Sequence, residues 1–174
     1  ISALISYKTN NMRQFLLGIS FFSCILIAYS FSSKEENPTA ITGKNVKWMT
    51  WEEAIEAAED DKAAGKKPKK FFVDIYTDWC GWCKKMDRDT YTNSDIIKAL
   101  NKDFIVIKFN PELENIVYEL DGNKITGREL FGQLTQGKST GFPTTYFIQP
   151  NKKQIQIAAG YLAPNDFMKV LAQA

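Results

Sequence analysis

The chain has 174 residues, room for one ordinary domain, and its 44% apolar and 24% charged residues describe a chain with a real core rather than a disordered tail or a fibre. It contains no histidine, which removes Ser-His-Asp and Cys-His nucleophile pairs, His-ligated zinc and any imidazole acid–base step. Net charge is +2, both excess positives (Lys8 and Arg13) fall in the first 32 residues, and the balance from Ser33 onward makes no net electrostatic case for nucleic acid.

Residues 1–32 form an N-terminal extension and leader. Ile1 to Asn11 is a polar preface to Met12, a candidate start. Arg13-Gln14 then precede an apolar run from Phe15 to Phe31, the pattern of a secretory signal peptide. Cleavage fits after Ala28-Tyr29-Ser30. The run also reaches the low end of bilayer-spanning lengths, about 17 residues, so an uncleaved N-terminal membrane anchor is the alternative. Cys24 is a lipid-attachment candidate, though the apolar run continuing past it suits an inert leader residue better. All these options place the folded part outside the cytoplasm: exported, either periplasmic or anchored facing the periplasm. Residues 33–44 are a polar linker, and residues 45–174 a single domain.

Val46 to Met49 is a short strand candidate. Thr50-Trp51-Glu52-Glu53 is a capping box, and Trp51, Ala54, Ile55 and Ala58 continue at helical spacing towards a stop near Gly65. The basic stretch Lys66 to Lys70 suits a solvated turn better than an anionic-surface patch. Phe71 to Tyr76 is apolar with one acid, Asp74, inside it, as in a central strand buried on both faces. Cys80-Gly81-Trp82-Cys83 follows, then a charged segment. Asn93 or Ser94 caps a short helix to Leu100, and Phe104 to Phe109 is a second buried strand. Val117 to Leu120 and Lys124 to Thr126 flank Asp121-Gly122-Asn123, a hairpin turn. Arg128 to Gln136 forms a short helix stopped by Gly137. Thr144 to Ile148 and Gln154 to Ala159, joined by a turn at Pro150-Asn151, make an antiparallel pair that adds an edge to the sheet. Pro164 opens a last helix. The order is β-α-β-α-β, an insertion at 110–140, then β-β-α. It implies parallel pairing in the first part, with helices on both faces.

The cysteine pair carries the chemistry. A Cys80 at the start of a helix faces unpaired backbone N–H groups and the positive end of the helix dipole, which favour thiolate over thiol. Cys83, one turn on, can attack the resulting mixed disulfide and release the product. The spacing suits a redox pair with one sulfur exposed and one tucked under the helix. A zinc site needs four ligands where only two cysteines follow the leader, so no metal is expected within one chain, leaving only bridging between chains. A purely structural disulfide in an exported protein would close a very short loop and stabilise little.

The segment Trp79-Cys80-Gly81-Trp82-Cys83-Lys84 resembles the Trp-Cys-Gly-Pro-Cys-Lys site of the thioredoxin family. The resemblance covers about residues 45–174. It includes Asp74 six residues before the first cysteine, Phe142-Pro143-Thr144, and Gly160 in the last strand, and it is nearest to exported members with an aromatic between the cysteines. It implies an α/β thioredoxin fold: a central mixed sheet flanked by helices, here with an inserted hairpin and helix before the cis-proline loop. It implies catalytic roles for Cys80, Cys83, Asp74 and Pro143, with Cys80–Cys83 the redox disulfide. Asp74 becomes the buried acid that moves protons to and from Cys83, its pKa raised by burial and tuned by Lys108 on the next strand; a purely structural acid bonded to Lys108 is the alternative. Pro143 becomes a cis-proline that leaves the Phe142 backbone free to pair with an extended substrate. Trp79, Gly81, Trp82, Phe142, Thr144 and Gly160 become substrate-binding residues, with Trp79 shielding the disulfide.

Trp82 departs from the usual proline and offers apolar contact without a cation beside Cys80, which points to a reducing protein; Asp78 and Lys84 offset each other. The expectation is therefore a thiol–disulfide oxidoreductase, a protein-disulfide reductase that needs no bound cofactor. Its partners are disulfide-containing exported proteins and an upstream electron donor, for which a membrane-embedded carrier is a candidate. The insertion either selects partners or decorates the surface. Oxidation or isomerisation of exported proteins, and a non-catalytic module that captures metal or client, are the alternatives.

Overall fold

The computed structural model describes residues 44–120, 122–137, 141–150 and 155–174. The leader with Cys24, the linker up to Gly43, Asp121 of the hairpin turn, and Asn151 and Gln154 of the last turn lie outside them.

The first expected strand shrinks to one bridge. Met49 alone pairs, with Ile107. The Trp48 N–H turns back onto the Val46 carbonyl at 3.0 Å, which takes the preceding residues off the ladder, and Val46 is spent in the core instead. Helix α1 (Trp51–Ala63) starts at the expected capping box: the Glu53 N–H donates to Thr50 Oγ1 at 3.2 Å and the Thr50 N–H to Glu53 Oε2 at 2.7 Å. Strand β1 (Lys70–Ile75) follows, then α2 (Gly81–Asp89), α3 (Ser94–Asp103) capped by Asn93, and β2 (Phe104–Phe109). Two helices thus link the first two strands where the β-α-β-α-β order counts one. Helix α2 is the helix that the reading of Cys80 calls for; it buries only Cys83 and Met86, too few to show an apolar period, so the element order leaves it out.

The insertion is a separate two-stranded hairpin, β3 (Val117–Leu120) and β4 (Asn123–Thr126), leading into α4 (Gly127–Thr135). It ends on Gln136 in the left-handed region. Strands β5 (Thr144–Ile148) and β6 (Ile155–Ala159) and helix α5 (Pro164–Gln173) complete the domain.

The main sheet runs β2-β1-β5-β6. β1 and β2 are parallel; β1–β5 and β5–β6 are antiparallel. The last hairpin therefore inserts β5 beside β1, and of its two strands only β6 is an edge. Gly160 lies one residue past β6 rather than within it.

Strand alternation sorts the side chains onto two faces. Phe71, Val73 and Ile75 of β1 join Ile105, Ile107 and Phe109 of β2 in a core closed by Trp51 and Ala54 of α1, Tyr118 of β3 and Leu130 and Leu134 of α4. Phe72 of β1 and Phe104 and Val106 of β2 join a second core closed by Met86 of α2, Ile96, Ile97 and Leu100 of α3 and Phe167 of α5. Phe72 is its hub, with ring contacts to Phe147 at 5.2 Å and Phe167 at 5.7 Å. Burying each such ring contributes about 1.5–3 kcal/mol. The same parity puts Asp74 and Lys108, the next outward members of this second series, beneath helix α2.

Candidate active site

Cys80 is the N-cap of α2. Its Sγ accepts the Cys83 N–H at 3.1 Å, and its own N–H donates to the Thr77 carbonyl at 3.1 Å. A sulfur in this position meets a donor that the helix itself leaves unpaired. Cys80 and Cys83 form a disulfide with an S–S distance of 2.06 Å and Cα atoms 5.3 Å apart. The expected contrast in exposure is absent: Cys80 is 4% exposed and Cys83 2%. The first sulfur is turned inward onto the helix N-terminus rather than outward.

The exposed groups are the tryptophans on either side. Trp79 is 68% exposed and Trp82 60%. Trp79 stands edge-on to Phe142 at 5.7 Å, and its Nε1–H donates to Glu112 Oε2 at 2.8 Å. Phe142 in turn touches Phe131 of α4 at 5.8 Å. Trp82 packs on Tyr161 at 5.5 Å. The Phe142–Pro143 peptide bond is cis. The Gly160 N–H donates to the Pro143 carbonyl at 2.8 Å, joining the loop to the end of β6. Gly81 is the exposed first residue of the helix, with open space where a Cβ would be. Thr144 is buried, and its hydroxyl donates to the Gly141 carbonyl at 2.7 Å. Its side chain shapes the loop from within. The structure thus links Trp79 to Phe142 and Pro143 to Gly160 by direct contacts next to the cysteine pair, and Trp82 to Tyr161.

Asp74 and Lys108 form a second group under α2. They are partners in the β1–β2 register, and Lys108 Nζ donates to Asp74 Oδ2 at 2.7 Å. The Tyr91 hydroxyl donates to Asp74 Oδ1 at 3.0 Å. Lys108 also pairs with Asp87, which sits on α2 one turn past Cys83. Burial pushes the Asp74 carboxyl above its ordinary 3.8, and Lys108 and Tyr91 recover only part of the cost. Burial pulls Lys108 down, but the carboxylates of Asp74 and Asp87 outweigh it and leave it above 10.5. The Lys108 ammonium also lies over the rings of Trp48 at 4.7 Å and of Tyr76 and Tyr91 at 5.1 Å. Asp74–Lys108–Asp87 is therefore a continuous charged chain from a buried carboxyl to a partly exposed one on the helix that carries Cys83.

Tyr91, Asp87, Glu112 and Tyr161 are absent from the sequence expectations. Asp87 had a usable signal, its helical spacing of four from Cys83; the other three sit in separate segments that meet only in the fold. Among the described residues, no group of three or more His, Cys, Asp or Glu side chains is placed to hold a metal.

The thiol:disulfide interchange protein DsbD of Colwellia psychrerythraea (strain 34H / ATCC BAA-681) is 23% identical over 90 residues, 52% of this chain and 15% of that protein. Human spermatogenesis-associated protein 20 is 26% identical over 122 residues, 70% of this chain and 14% of that protein. The chain spans under a fifth of the length of these relatives. Among solved structures, a DsbH oxidoreductase superposes with a TM-score of 0.50 at 23% identity, over 82% of this chain and 95% of that one. The oxidised C-terminal domain of Neisseria meningitidis DsbD does so with a TM-score of 0.50 at 19% identity, over 72% and 97%. These likenesses establish a thioredoxin fold. Residues 39–173, which take in the Cys-Gly-Trp-Cys segment, the cis-proline loop and the insertion, match the family Thioredox_DsbH (Protein of unknown function, DUF255), and the chain belongs to that thioredoxin-like family.

Proposed function

We propose that this chain is a thiol–disulfide oxidoreductase that reduces disulfides in exported proteins. The observation that carries the reading is the placement of Cys80 Sγ at the N-terminus of α2, on the Cys83 N–H, with Cys83 close enough to bond to it. In the dithiol form the same N–H and the helix dipole stabilise a Cys80 thiolate. That thiolate attacks one sulfur of a substrate disulfide, and the other substrate sulfur leaves as a thiolate and takes up a proton. Cys83 then gives up its proton and attacks Cys80 Sγ, releasing the first substrate sulfur. Two electrons pass to the substrate, and a disulfide remains on the chain. Asp74 receives the Cys83 proton, a role to which its raised pKa suits it. Lys108 steadies the carboxylate once it is charged. The backbone at Phe142–Pro143 pairs with an extended substrate, and Trp79, Gly81, Trp82 and Gly160 border it.

Net reduction is favoured because Trp82 is apolar and the described ion pairs put no cation beside Cys80. The leader pattern of residues 13–31 supports a site of action outside the cytoplasm, with electrons returned by a donor for which a membrane-embedded carrier is a candidate. The test is reduction of insulin by the reduced chain, together with Cys83→Ser trapping of a mixed disulfide on Cys80. Turnover by the wild type and a Cys80-linked adduct in the variant are expected. Absence of both would reject the enzyme and favour a capture module, and a redox titration giving a strongly oxidising potential would reverse the direction.

A further inference from the structure

Exposed apolar side chains continue away from the disulfide on its Trp79 side. Through Glu112 the indole of Trp79 is tied to the start of the insertion. There Leu113, Ile116 and Val117 are all exposed, Val117 at 57%. Tyr118 points the other way, buried against Phe109 at 5.4 Å, so the core anchors the strip from beneath. Scattered surface apolar residues are ordinary, but a set this close in the chain and joined to a reactive pair marks an interaction surface.

The charge along the strip is mainly negative. Asp78, Glu112 and Glu114 border it, and none of them forms an ion pair among the described residues. Glu119 stands opposite Lys124 in the hairpin register. Arg128, in the first turn of α4, follows Gly127, which abuts Pro111, so it is one cation near the start of the strip against three acids. Lys84 lies two residues past Trp82, on α2. A partner that covers the strip must therefore bring apolar groups to Leu113, Ile116 and Val117 and positive charge to the three acids.

We propose that the strip from Trp79 to Val117 is a docking surface for the disulfide-bearing segment of a partner protein, and that this segment is apolar and basic. The proposal rests on the exchange reading of Cys80 and Cys83 and adds to it the chemistry of the partner.

Two synthetic peptides test it. Each carries one internal disulfide and the same apolar residues, flanked by Lys and Arg in one and by Asp and Glu in the other. Both are reduced by the dithiol form of the full chain, and every rate is divided by that protein's own rate with uncharged 2,2′-dipyridyl disulfide. The normalised rate for the basic peptide should exceed that for the acidic one about tenfold at low ionic strength. The ratio should fall towards about twofold in about 0.5 M NaCl. Asp78→Asn with Glu114→Gln should lower it at low salt, and Ile116→Ser with Val117→Ser should slow both peptides. Equal normalised rates for the two peptides, a ratio insensitive to salt, or a preference for the acidic peptide would overturn the docking surface and leave exchange standing. Failure of the wild type to reduce dipyridyl disulfide would overturn the exchange reading and the proposal with it.

Discussion

Asp74 carries a cost at neutral pH. Its carboxyl is buried, and its pKa in the folded chain lies above the 3.8 of an ordinary aspartate, burial being the main cause. Between 3.8 and the raised value the folded chain binds more protons than the unfolded one, so stability falls as pH rises through that window. The contribution is fully present below 3.8 and lost above the folded pKa. Asp74→Asn keeps an acceptor for Tyr91 and leaves Lys108 paired with Asp87, so it removes the penalty without orphaning the lysine. We expect it to be more stable than the wild type at pH 7 by about 1–3 kcal/mol, a gain that fades as the pH drops towards 3.8. Urea titrations at the two ends of that range check this; a loss of stability at pH 7 would mean that the Asp74–Lys108 pair stabilises the fold. Asp87 pushes in the same direction as burial, because its charge raises the Asp74 pKa and it shares the lysine. Asp87→Asn should therefore lower the pH at which Asp74 titrates, followed by carboxyl-carbon NMR, and an unchanged or higher midpoint would sever the proposed link from α2 to the buried acid. Asp74 and Lys108 were legible because strand alternation and adjacency suffice to pair them. Tyr91 and Glu112 were not, since each reaches the site from a loop whose path is set by tertiary packing.

Among the elements, those with a full apolar period or a complete cap stand where the sequence puts them. β2 and β5 match their expected bounds, α1 opens on its expected capping box at Thr50, and α4 opens on a second one, at Thr126, that is absent from the sequence expectations. α4 begins one residue before its expected start, at Gly127, and that residue has a role no local rule exposes. A Cβ there would lie 2.9 Å from the carbonyl oxygen of Pro111, so the two ends of the hairpin insertion are pinned backbone to backbone. Gly127→Ala should cost about 1–3 kcal/mol in urea unfolding, since a backbone atom cannot swing aside. Gly81 is the contrast: its Cβ would meet open space at the first position of α2, and Gly81→Ala should leave stability within about 0.5 kcal/mol or raise it slightly. Equal costs at the two glycines would show that the insertion is not pinned at Pro111. Because Glu112 follows Pro111 directly, loosening this contact should also loosen the hold on Trp79, visible as a change in indole fluorescence.

At the scale of the molecule, the alternating pattern and the Cys-Gly-Trp-Cys resemblance were enough for the thioredoxin fold, but not for the seat of β5. A short turn says only that β5 and β6 are neighbours; β5 goes inside because all five of its residues are buried, whereas β6 is partly exposed along its length. That placement sets the cis-proline loop, at the start of β5, beside the end of β1 that leads to Cys80. The site then couples to global stability through a thermodynamic cycle. The Cys80–Cys83 disulfide closes so short a ring that loop entropy adds little, and any difference in stability between the oxidised and reduced chains reflects how the folded site treats the sulfurs. Both cysteines are buried, which suits an apolar disulfide, and the backbone N–H and helix N-terminus that hold a Cys80 thiolate offset only part of the cost of burying its charge. Folding should therefore favour the disulfide, lower the reduction potential below that of the unfolded chain, and make the dithiol form a donor of electrons. Each ~30 mV of that lowering corresponds to ~1.4 kcal/mol of extra stability in the oxidised form. We expect the oxidised chain to unfold at higher urea than the reduced chain, with the difference matching the potential measured against a thiol buffer. A reduced form at least as stable as the oxidised one would mean that the site holds the thiolate better than the disulfide, and the chain would then act as an oxidant.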